Sequence, residues 1–276
     1  MNLKNSVVDA GGITTHLIEA GAGEPLILIH GGGAGADALG NWEKIMPAYA
    51  AAGFRTIAYD LVGFGRSAAP DPDEFLYDQA SRNIQLLGLL DALKIERASI
   101  IGNSMGGATA LGLAMMAPER VNKLVLMASA GVNRNTSAGL APLVNYDSTL
   151  EGMRKIVAAL TNPKFVINED MVRYRFERFS DPAVKKAYSA IMGWVKAQGG
   201  LHYDEDQIAS LKHQALVITG KNDQVIPMEE SITLMKLIEN SHGYFIPNCG
   251  HWAMMEYPDL FAEVTIAYLK RSIEVA

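Results

Sequence analysis

The sequence predicts an α/β fold with a mostly parallel, doubly wound sheet, and three observations support this prediction. Between residues 26 and 128, apolar stretches of strand length alternate with stretches whose apolar residues recur at helical spacing. Residues 98–101 lead through a glycine-rich turn into a helix that ends before Pro118. Carboxylate and imidazole side chains follow the later strands, where open parallel sheets carry their ligands.

Composition and charge narrow the class of protein. The chain has 276 residues, 49% of them hydrophobic, which is enough for one large domain with an insertion. Its net charge of −6 comes without a basic run, so we expect no nucleic-acid partner. Because Cys249 is the single cysteine and the first residues lack the apolar region of a signal peptide, we predict a cytoplasmic protein. No apolar run approaches the roughly 20 residues that span a bilayer, so no membrane association is expected.

Each core element has its own signal in the sequence. Gly11-Gly12 joins two short strand-like segments, which favours a hairpin. Residues 26–29 are a continuous apolar run after Pro25, typical of a strand covered on both faces. Gly53 ends the helix that precedes it. The predicted strands are residues 7–9, 14–19, 26–29, 55–59, 98–101, 123–128, 215–219 and 243–246. The predicted core helices are residues 41–52, 76–93, 107–116 and 257–271.

The alternation of strands and helices stops after residue 133. From there to residue 211 we find no convincing strand, and three segments have helical patterns: residues 149–160, 168–179 and 181–198. Asn162-Pro163 and Gly199-Gly200 break these helices. We therefore predict a helical lid, residues 133–206, inserted into a discontinuous core made of residues 1–132 and 207–276.

Ser104 lies at the centre of the most informative motif. Residues 102–106, GNSMG, match G-x-S-x-G, with a predicted strand before the turn and a predicted helix after it. This context is typical of the nucleophile elbow of the α/β-hydrolase fold, in which the serine occupies a strained turn. Glycines beside the serine leave room for that turn, and the helix N-terminus favours developing negative charge. The sequence thus predicts an α/β-hydrolase fold with Ser104 as the nucleophile.

A serine hydroxyl is a poor nucleophile at neutral pH, so it needs a base, and the base needs an orienting carboxylate. In this fold the acid follows the serine along the chain and the histidine comes last. Asp223 follows the strand at 215–219 and His251 follows the strand at 243–246, at the sheet edge that carries Ser104. We therefore predict a triad of Ser104, Asp223 and His251. Asp60 precedes the serine and is assigned to a turn instead.

The other candidate side chains are assigned structural roles. Cys249 is interpreted as a small buried apolar residue, and His30 as a brace for the glycine loop that follows it. The histidines lack ligand-like spacing with cysteines or carboxylates, so we expect no metal and no cofactor. The remaining histidines, which lie in strands or polar loops, are His16, His202, His213 and His242.

A second glycine-rich segment supplies the predicted oxyanion hole. Residues 30–35, HGGGAG, follow the strand at 26–29 and are typical of the loop whose backbone N–H groups bind an oxyanion. We expect one donor to be the N–H of Met105, the residue after the nucleophile, and the other to be the N–H of Gly32.

Four segments resemble one branch of this fold closely: residues 30–42 (HGGGAGADALGNW), 63–67 (GFGRS), 102–111 (GNSMGGATAL) and 249–258 (CGHWAMMEYP). They are similar to the meta-cleavage product hydrolases, nearest to the biphenyl and carbazole types, and lid segments extend the resemblance over nearly the whole chain. The resemblance implies a 2-hydroxy-6-oxohexa-2,4-dienoate substrate with a C6 substituent, and a homo-oligomer, dimer or higher. It also implies contacts between the dienoate and Gly32, Gly33, Asn41, Asn103 and Trp252, with Arg175 meeting the carboxylate.

The chemistry of such a substrate gives a separate reason for these residues. A carbon leaving group departs only as a stabilised enolate, so the dienol must first take a proton on carbon. His251 is the expected proton carrier, and Arg175 is a fixed cation suited to a carboxylate. The asparagine amides would polarise the 2-oxo group. Either Ser104 or a water activated by His251 then attacks the C6 carbonyl, and both routes fit these residues.

Two other functions fit parts of this pattern. A general carboxylesterase would use the same triad, and comparing a dienoate with an aryl ester distinguishes the two. A non-catalytic ligand receptor would require neither the triad nor the glycine loop. A dehalogenase is disfavoured because it would carry aspartate at position 104. The C6 substituent depends on the cavity wall, for which the candidates are Val144, Met153, Leu160, Phe176, Met192 and Trp194.

Overall fold

The computed structural model of the protein describes residues 3–132, 134 and 137–271. Its strands are β1 (Lys4–Asp9), β2 (Thr14–Ala20), β3 (Glu24–Ile29), β4 (Phe54–Tyr59), β5 (Ala98–Asn103), β6 (Val121–Met127), β7 (Gln214–Gly220) and β8 (Ser241–Ile246). They form one sheet in the order β1-β2-β4-β3-β5-β6-β7-β8. The β1–β2 and β2–β4 pairs are antiparallel, and all other neighbours are parallel. The predicted mostly parallel sheet is confirmed, and every predicted strand is present.

The central strands carry the apolar runs because both of their faces are covered. All six residues of β5 and the last four of β3 are buried. In the parallel register, Gly102 of β5 lies opposite Ile29 of β3 and Leu126 of β6. The ends of β3 and β5 therefore meet at one edge of the sheet, where the glycine loop and the turn at Ser104 begin.

The helices comprise two groups that cover the sheet and a further set in the predicted lid segment. They are α1 (Ala38–Trp42), α2 (Met46–Ala51), α3 (Gln79–Ala92), α4 (Met105–Met116), α5 (Ala141–Val144), α6 (Leu150–Leu160), α7 (Glu169–Arg178), α8 (Pro182–Gln198), α9 (Glu205–Ala209), α10 (Met228–Leu237), α11 (Ala253–Glu256) and α12 (Pro258–Lys270). Successive contacts join α3, α4, α9 and α10 into one group, and α1, α2, α11 and α12 into another. This is the doubly wound arrangement that the sequence predicts. Among the described residues, no helix is both long enough and apolar enough to cross a bilayer.

The helix predicted at residues 41–52 is divided in the structure. Asp37 caps α1 by accepting the N–H of Gly40 at 2.7 Å, so this helix begins earlier than predicted. Pro47 occupies the first turn of α2 and has no N–H to donate, so a new helix starts there instead of α1 continuing.

The helices near the C-terminus differ from the predicted ones in two further ways. The helix predicted at residues 257–271 begins as α12 after a separate short turn, α11, with Pro258 in its first turn. Helix α10 was not predicted from the sequence. Its first turn carries Glu229 and Glu230 and its last turn carries Lys236, the charge pattern that favours helix ends.

The segment predicted as the lid contains α5, α6, α7 and α8 and no strand among its described residues; isolated bridges join His202 to Gly131 and Val132. Residues 133, 135 and 136 of that segment lie outside the described residues. The three long lid helices begin where side chains accept a first-turn backbone N–H, and these caps are Thr149, Asn168 and Asp181. Helix α9 continues across residue 206, where the lid was predicted to end, so the structure shows no boundary at that residue. The domain boundaries therefore stay a prediction.

A chain of aromatic rings packs the lid onto the core. Tyr146 contacts Phe179 with ring centres 5.0 Å apart, and Phe179 meets Tyr188 edge-on at 5.2 Å. Tyr188 then contacts Phe64 at 6.2 Å, and Phe64 contacts His30 at 5.4 Å, both edge-to-face. The lid therefore lies directly over the loop that begins at His30.

Candidate active site

Ser104 joins the end of β5 to the start of α4 in a strained conformation. Its φ of 54° and ψ of −118° lie in the left-handed φ region, which costs a residue with a side chain about 1–3 kcal/mol. The Ser104 N–H donates to the Met127 carbonyl at 3.1 Å, and its carbonyl accepts the Ala130 N–H at 3.1 Å. Gly106 lets α4 approach β3, because a Cβ there would clash with the carbonyl oxygen of Ile29. The surrounding backbone thus imposes the turn.

Asp223 and His251 are hydrogen-bonded on neighbouring loops after β7 and β8. Nδ1 of His251 lies 2.8 Å from Oδ2 of Asp223, and both side chains are almost fully buried. The other carboxylate oxygen accepts the N–H groups of Val225 and Ile226 at 2.8 and 3.0 Å. With the proton on Nδ1, the histidine keeps Nε2 as a base. This is the acid–base pair that a serine nucleophile needs.

A cavity between the sheet edge and the lid brings the predicted site residues together. Nine of the ten line it, and the exception, Asp223, lies behind His251. Their lining positions are Gly32, Gly33, Asn41, Asn103, Ser104, Met105, Arg175, His251 and Trp252. The rest of the wall includes the aliphatic side chains of Leu140, Leu143, Val144, Leu160, Met192, Val195, Leu201 and Ile226.

The two predicted oxyanion donors are neighbours in this cavity. A Cβ added to Gly32 would lie 2.5 Å from the terminal methyl carbon of Met105, so the two residues are in contact. Met105 is the first residue of α4, where backbone N–H groups have no partner within the helix. Among the described residues neither N–H donates to an acceptor outside regular helices and strands, which leaves both donors for an oxyanion.

His30 supports the glycine loop from below. Its Nδ1 donates to the Gly31 carbonyl at 2.8 Å, and its Nε2 accepts the N–H of Leu61 at 3.0 Å. Burial lowers the pKa of His30, which keeps the ring neutral. Since both ring nitrogens are engaged with backbone groups, this side chain braces the loop and carries no proton to the cavity.

Arg175 places a buried cation on the lid side of the cavity. The side chain is 2% exposed, one Nη donates to the Ala34 carbonyl at 2.8 Å, and Nε is buried without a partner among the described residues. The guanidinium lies over the Trp252 ring, 4.8 Å from its centre. Burial lowers its pKa to about 10, so it stays charged at neutral pH. The described arginine ion pairs all involve other arginines, so Arg175 has no acidic partner there.

Asp37 and Tyr174 support the site from outside the cavity lining and were not predicted from the sequence. The Tyr174 hydroxyl donates to Asp37 at 2.5 Å, which ties α7 to the segment that follows the glycine loop, one residue away from Arg175. The charge of Asp37 acts on Arg175 and partly offsets the fall in its pKa. The available signals were the position of Asp37 beside the glycine loop and that of Tyr174 beside Arg175.

The two asparagines are held by backbone carbonyls. The Asn103 amide nitrogen donates to Met127 at 3.2 Å, and that of Asn41 donates to Asp37 at 2.6 Å. The amide oxygen of Asn103 is buried without a partner among the described residues. Both asparagines line the cavity, and polarisation of a 2-oxo group by their amides stays a prediction.

Several other sequence candidates lie away from the chemistry. Asp60 accepts the N–H groups of Ala38 and Arg66 and pairs with His16 at 3.0 Å, which organises a turn. Cys249 is buried, and burial raises the pKa of its thiol. No cluster of potential metal ligands occurs in the part of the chain that the structure describes. Of the predicted wall residues, Val144, Leu160 and Met192 line the cavity, whereas Met153, Phe176 and Trp194 do not.

Comparison with known proteins agrees with this geometry. Residues 24–258 match the family model of the alpha/beta hydrolase fold. The chain is 46% identical to a 2-hydroxy-6-oxo-6-(2'-aminophenyl)hexa-2,4-dienoic acid hydrolase of Metapseudomonas resinovorans, over 97% of this chain and 91% of that one. It therefore belongs to the meta-cleavage product hydrolases of the α/β-hydrolase fold.

Solved structures of other meta-cleavage product hydrolases have the same fold. A serine hydrolase involved in carbazole degradation superposes with a TM-score of 0.89 at 44% identity, covering 97% of this chain and 99% of that one. A 2-hydroxy-6-oxo-6-phenylhexa-2,4-dienoate hydrolase from Rhodococcus gives a TM-score of 0.90 at 31% identity, covering 98% and 99%. The hydrolase described here thus shares its fold with these enzymes over nearly its whole length.

Proposed function

We propose that this hydrolase cleaves the C5–C6 bond of 2-hydroxy-6-oxohexa-2,4-dienoates, giving 2-hydroxypenta-2,4-dienoate and a carboxylic acid. The observation that carries the proposal is the buried Arg175 without an acidic partner, in the same cavity as Ser104 and the His251–Asp223 pair. An ordinary ester needs no such cation, whereas a dienoate brings a carboxylate that satisfies it. The relatives from Metapseudomonas and Rhodococcus are named as hydrolases of this class of substrate.

The proposed reaction uses these groups in sequence. Arg175 binds the substrate carboxylate, and His251 takes the proton of the 2-hydroxyl group and delivers it to C5, which converts the dienol into its keto tautomer. Ser104, or a water deprotonated by His251, then adds to the C6 carbonyl, and the N–H groups of Gly32 and Met105 stabilise the oxyanion. The C5–C6 bond breaks with its electron pair leaving as the enolate of the product. Both routes consume one water overall.

The cavity wall favours an uncharged, apolar substituent at C6. Apart from the predicted site residues, the wall is mostly aliphatic, with contributions from α5, α8 and the loop after β7. Burying a charged group there would go without compensation, while an aryl or alkyl group gains from apolar burial. The aminophenyl compound hydrolysed by the relative from Metapseudomonas is therefore the first substrate to test.

We also propose that the hydrolase works as a homo-oligomer in the cytoplasm. The oligomer follows from the family resemblance alone. The cytoplasmic setting is supported by the single cysteine of the sequence, which cannot form a disulfide within the chain. Light scattering coupled to size-exclusion chromatography tests the first statement, and fractionation of the native host tests the second.

Loss of dienolate absorbance tests the proposed reaction directly. We expect turnover of phenyl-, alkyl- and aminophenyl-substituted dienoates to exceed that of a 4-nitrophenyl ester in kcat/KM. Ser104→Ala should lower kcat by about 10³-fold or more, because the nucleophile is lost, while the coloured dienoate still binds. Faster turnover of the simple ester would favour a carboxylesterase instead. Wild-type turnover in Ser104→Ala would refute the nucleophile assignment.

A further inference from the structure

Glu256, the last residue of α11, connects two segments of the active site. One carboxylate oxygen accepts the N–H of Gly250 at 2.8 Å, and the other accepts the N–H of Asn162 at 3.0 Å. Gly250 immediately precedes His251, whereas Asn162 follows the end of lid helix α6. Because an ionised carboxylate only accepts hydrogen bonds, it can satisfy both N–H groups at once.

The same two segments touch directly. The His251 N–H donates to the carbonyl of Leu160, the last residue of α6, at 3.1 Å. A Cβ at Gly250 would lie 2.7 Å from the backbone nitrogen of Asn162, so only glycine permits this approach. Leu160 also lines the cavity. The backbone that carries His251 is thus fixed to the wall that shapes the substrate.

The charge of Glu256 is balanced by hydrogen-bond donors, namely the two backbone N–H groups and, at 3.9 Å from one carboxylate oxygen, the Cys249 thiol. Among the described glutamates, those in ion pairs are Glu19, Glu151, Glu169 and Glu239, so no cation is paired with Glu256 there. Burial raises its pKa, the two backbone N–H groups lower it, and the nearby charge of Asp223 raises it further. Removing either N–H contact would leave a half-buried charge unsatisfied, which makes the bridge specific to a carboxylate.

We propose that Glu256 is a positioning residue for His251. Its carboxylate holds the Gly250–His251 backbone against the end of α6, so that the imidazole keeps one position relative to Ser104 and to the cavity wall. In consequence, α6 stays attached to the histidine loop during turnover. The inference rests on the proposed function, in which His251 moves the protons.

Glu256→Gln tests this role without changing the size of the side chain. The amide oxygen of the glutamine can still accept one of the two backbone N–H groups. Its N–H₂ group then faces the other backbone N–H, and because both are donors, that hydrogen bond is lost and the two groups repel each other. We expect kcat to fall by about 10- to 100-fold, as for a misplaced catalytic group, while KM changes less than about threefold. Glu256→Asp, which is too short to bridge, should behave similarly.

A spectroscopic readout separates positioning from general stability. The proton shared by His251 Nδ1 and Asp223 gives a downfield proton resonance, which is identified by its loss in His251→Ala. In Glu256→Gln this resonance should broaden or shift. Glu169→Gln is the matched control. Glu169 of α7 accepts hydrogen bonds from Arg154 of α6, so it also joins α6 to another segment, but at an exposed site. It should leave both kcat and the resonance unchanged.

The experiment is run on a dienoate and on a 4-nitrophenyl ester, so that the two proposals fail separately. A wild-type enzyme active only on the ester refutes the proposed substrate, and the Glu256→Gln comparison is then made on the ester. An unchanged kcat on the substrate that is turned over, or an unchanged resonance with a folded protein, overturns the role of Glu256. A large rise in KM with constant kcat also overturns the role of Glu256.

Discussion

At the scale of single residues, the buried guanidinium of Arg175 is the group most specific to the proposed substrate. It is held by one carbonyl and by the Trp252 ring, and its remaining N–H groups have no acidic partner among the described residues. A buried charge in this state is costly unless a ligand pairs with it. The site is therefore built for a carboxylate that arrives with the substrate.

Arg175→Gln should lower kcat/KM for the dienoate by about 30-fold or more, mainly through KM, because truncating a buried charge pair costs about 2–5 kcal/mol. Steady-state kinetics on the dienoate measure this change. Arg173→Gln is the control, since Arg173 is exposed on the same helix and should have little effect. An equal loss for Arg175→Gln on a neutral aryl ester would assign the arginine to folding instead.

The site residues also show what could be predicted from sequence at this scale. Ser104, Asp223 and His251 each follow a strand in a short motif, so local pattern and chain order locate them. Glu256 and Asp37 were missed because each makes a contact between segments distant in the chain, Glu256 with Asn162 and Asp37 with Tyr174. Sequence alone does not indicate that these segments lie close together.

At the scale of elements, the contact between α4 and β3 determines whether the serine turn can form. Gly106 sits where a Cβ would collide with backbone carbonyl oxygens, and backbone cannot move as a side-chain end can. Strands and long helices were predicted well because burial and capping are local properties. Two features were not predicted, the break between α1 and α2 and the presence of α10, although Pro47 indicates the first and the charges of α10 indicate the second.

Gly106→Ala should destabilise the hydrolase by about 1–3 kcal/mol, the usual cost of overpacking, because α4 must move away from β3. Urea unfolding followed by circular dichroism measures the change. Gly193→Ala in α8 is the matched control, since a Cβ there has nothing within 4 Å. It should stabilise the protein by about 0.5–1 kcal/mol, as alanine does in a helix. A neutral Gly106→Ala would mean that the α4–β3 contact can relax.

At the scale of the whole molecule, the lid is fixed to the core on several sides. Tyr174 of α7 bonds Asp37, Lys186 of α8 pairs with Asp71 at 2.6 Å, and the end of α6 meets the His251 loop. The cavity lies between these attachments. The cavity walls therefore come from both the core and the lid. The same contacts stabilise the fold and determine the shape of the site.

Glu230 makes the stability of the whole fold sensitive to pH. Burial, together with the charges of Asp223 and Glu229, raises its pKa to about 7, and one of its carboxylate oxygens is buried without a partner among the described residues. A carboxyl whose pKa is higher in the folded state than in the unfolded state binds protons more tightly when folded. As pH rises from its ordinary pKa to about 7, ionisation therefore costs the folded state stability, and the cost is complete above that pH.

Glu230→Gln removes this penalty. Its Tm should exceed that of the wild type by a few degrees at about pH 8, with a smaller difference near pH 5 where the carboxyl is protonated in the fold. Differential scanning calorimetry at the two pH values measures it. The exposed neighbour Glu229 provides the control, because Glu229→Gln should change Tm less. A Tm difference for Glu230→Gln that is independent of pH would contradict the interpretation.

The unpaired charge of Arg175 also affects how the catalytic cycle ends. In the proposed reaction one carboxylate enters with the dienoate, but two leave, one on each fragment. Both fragments can occupy the guanidinium that the next dienoate needs, so product inhibition is inherent in this way of holding the substrate. Sustained flux then depends on a downstream step that clears the acids.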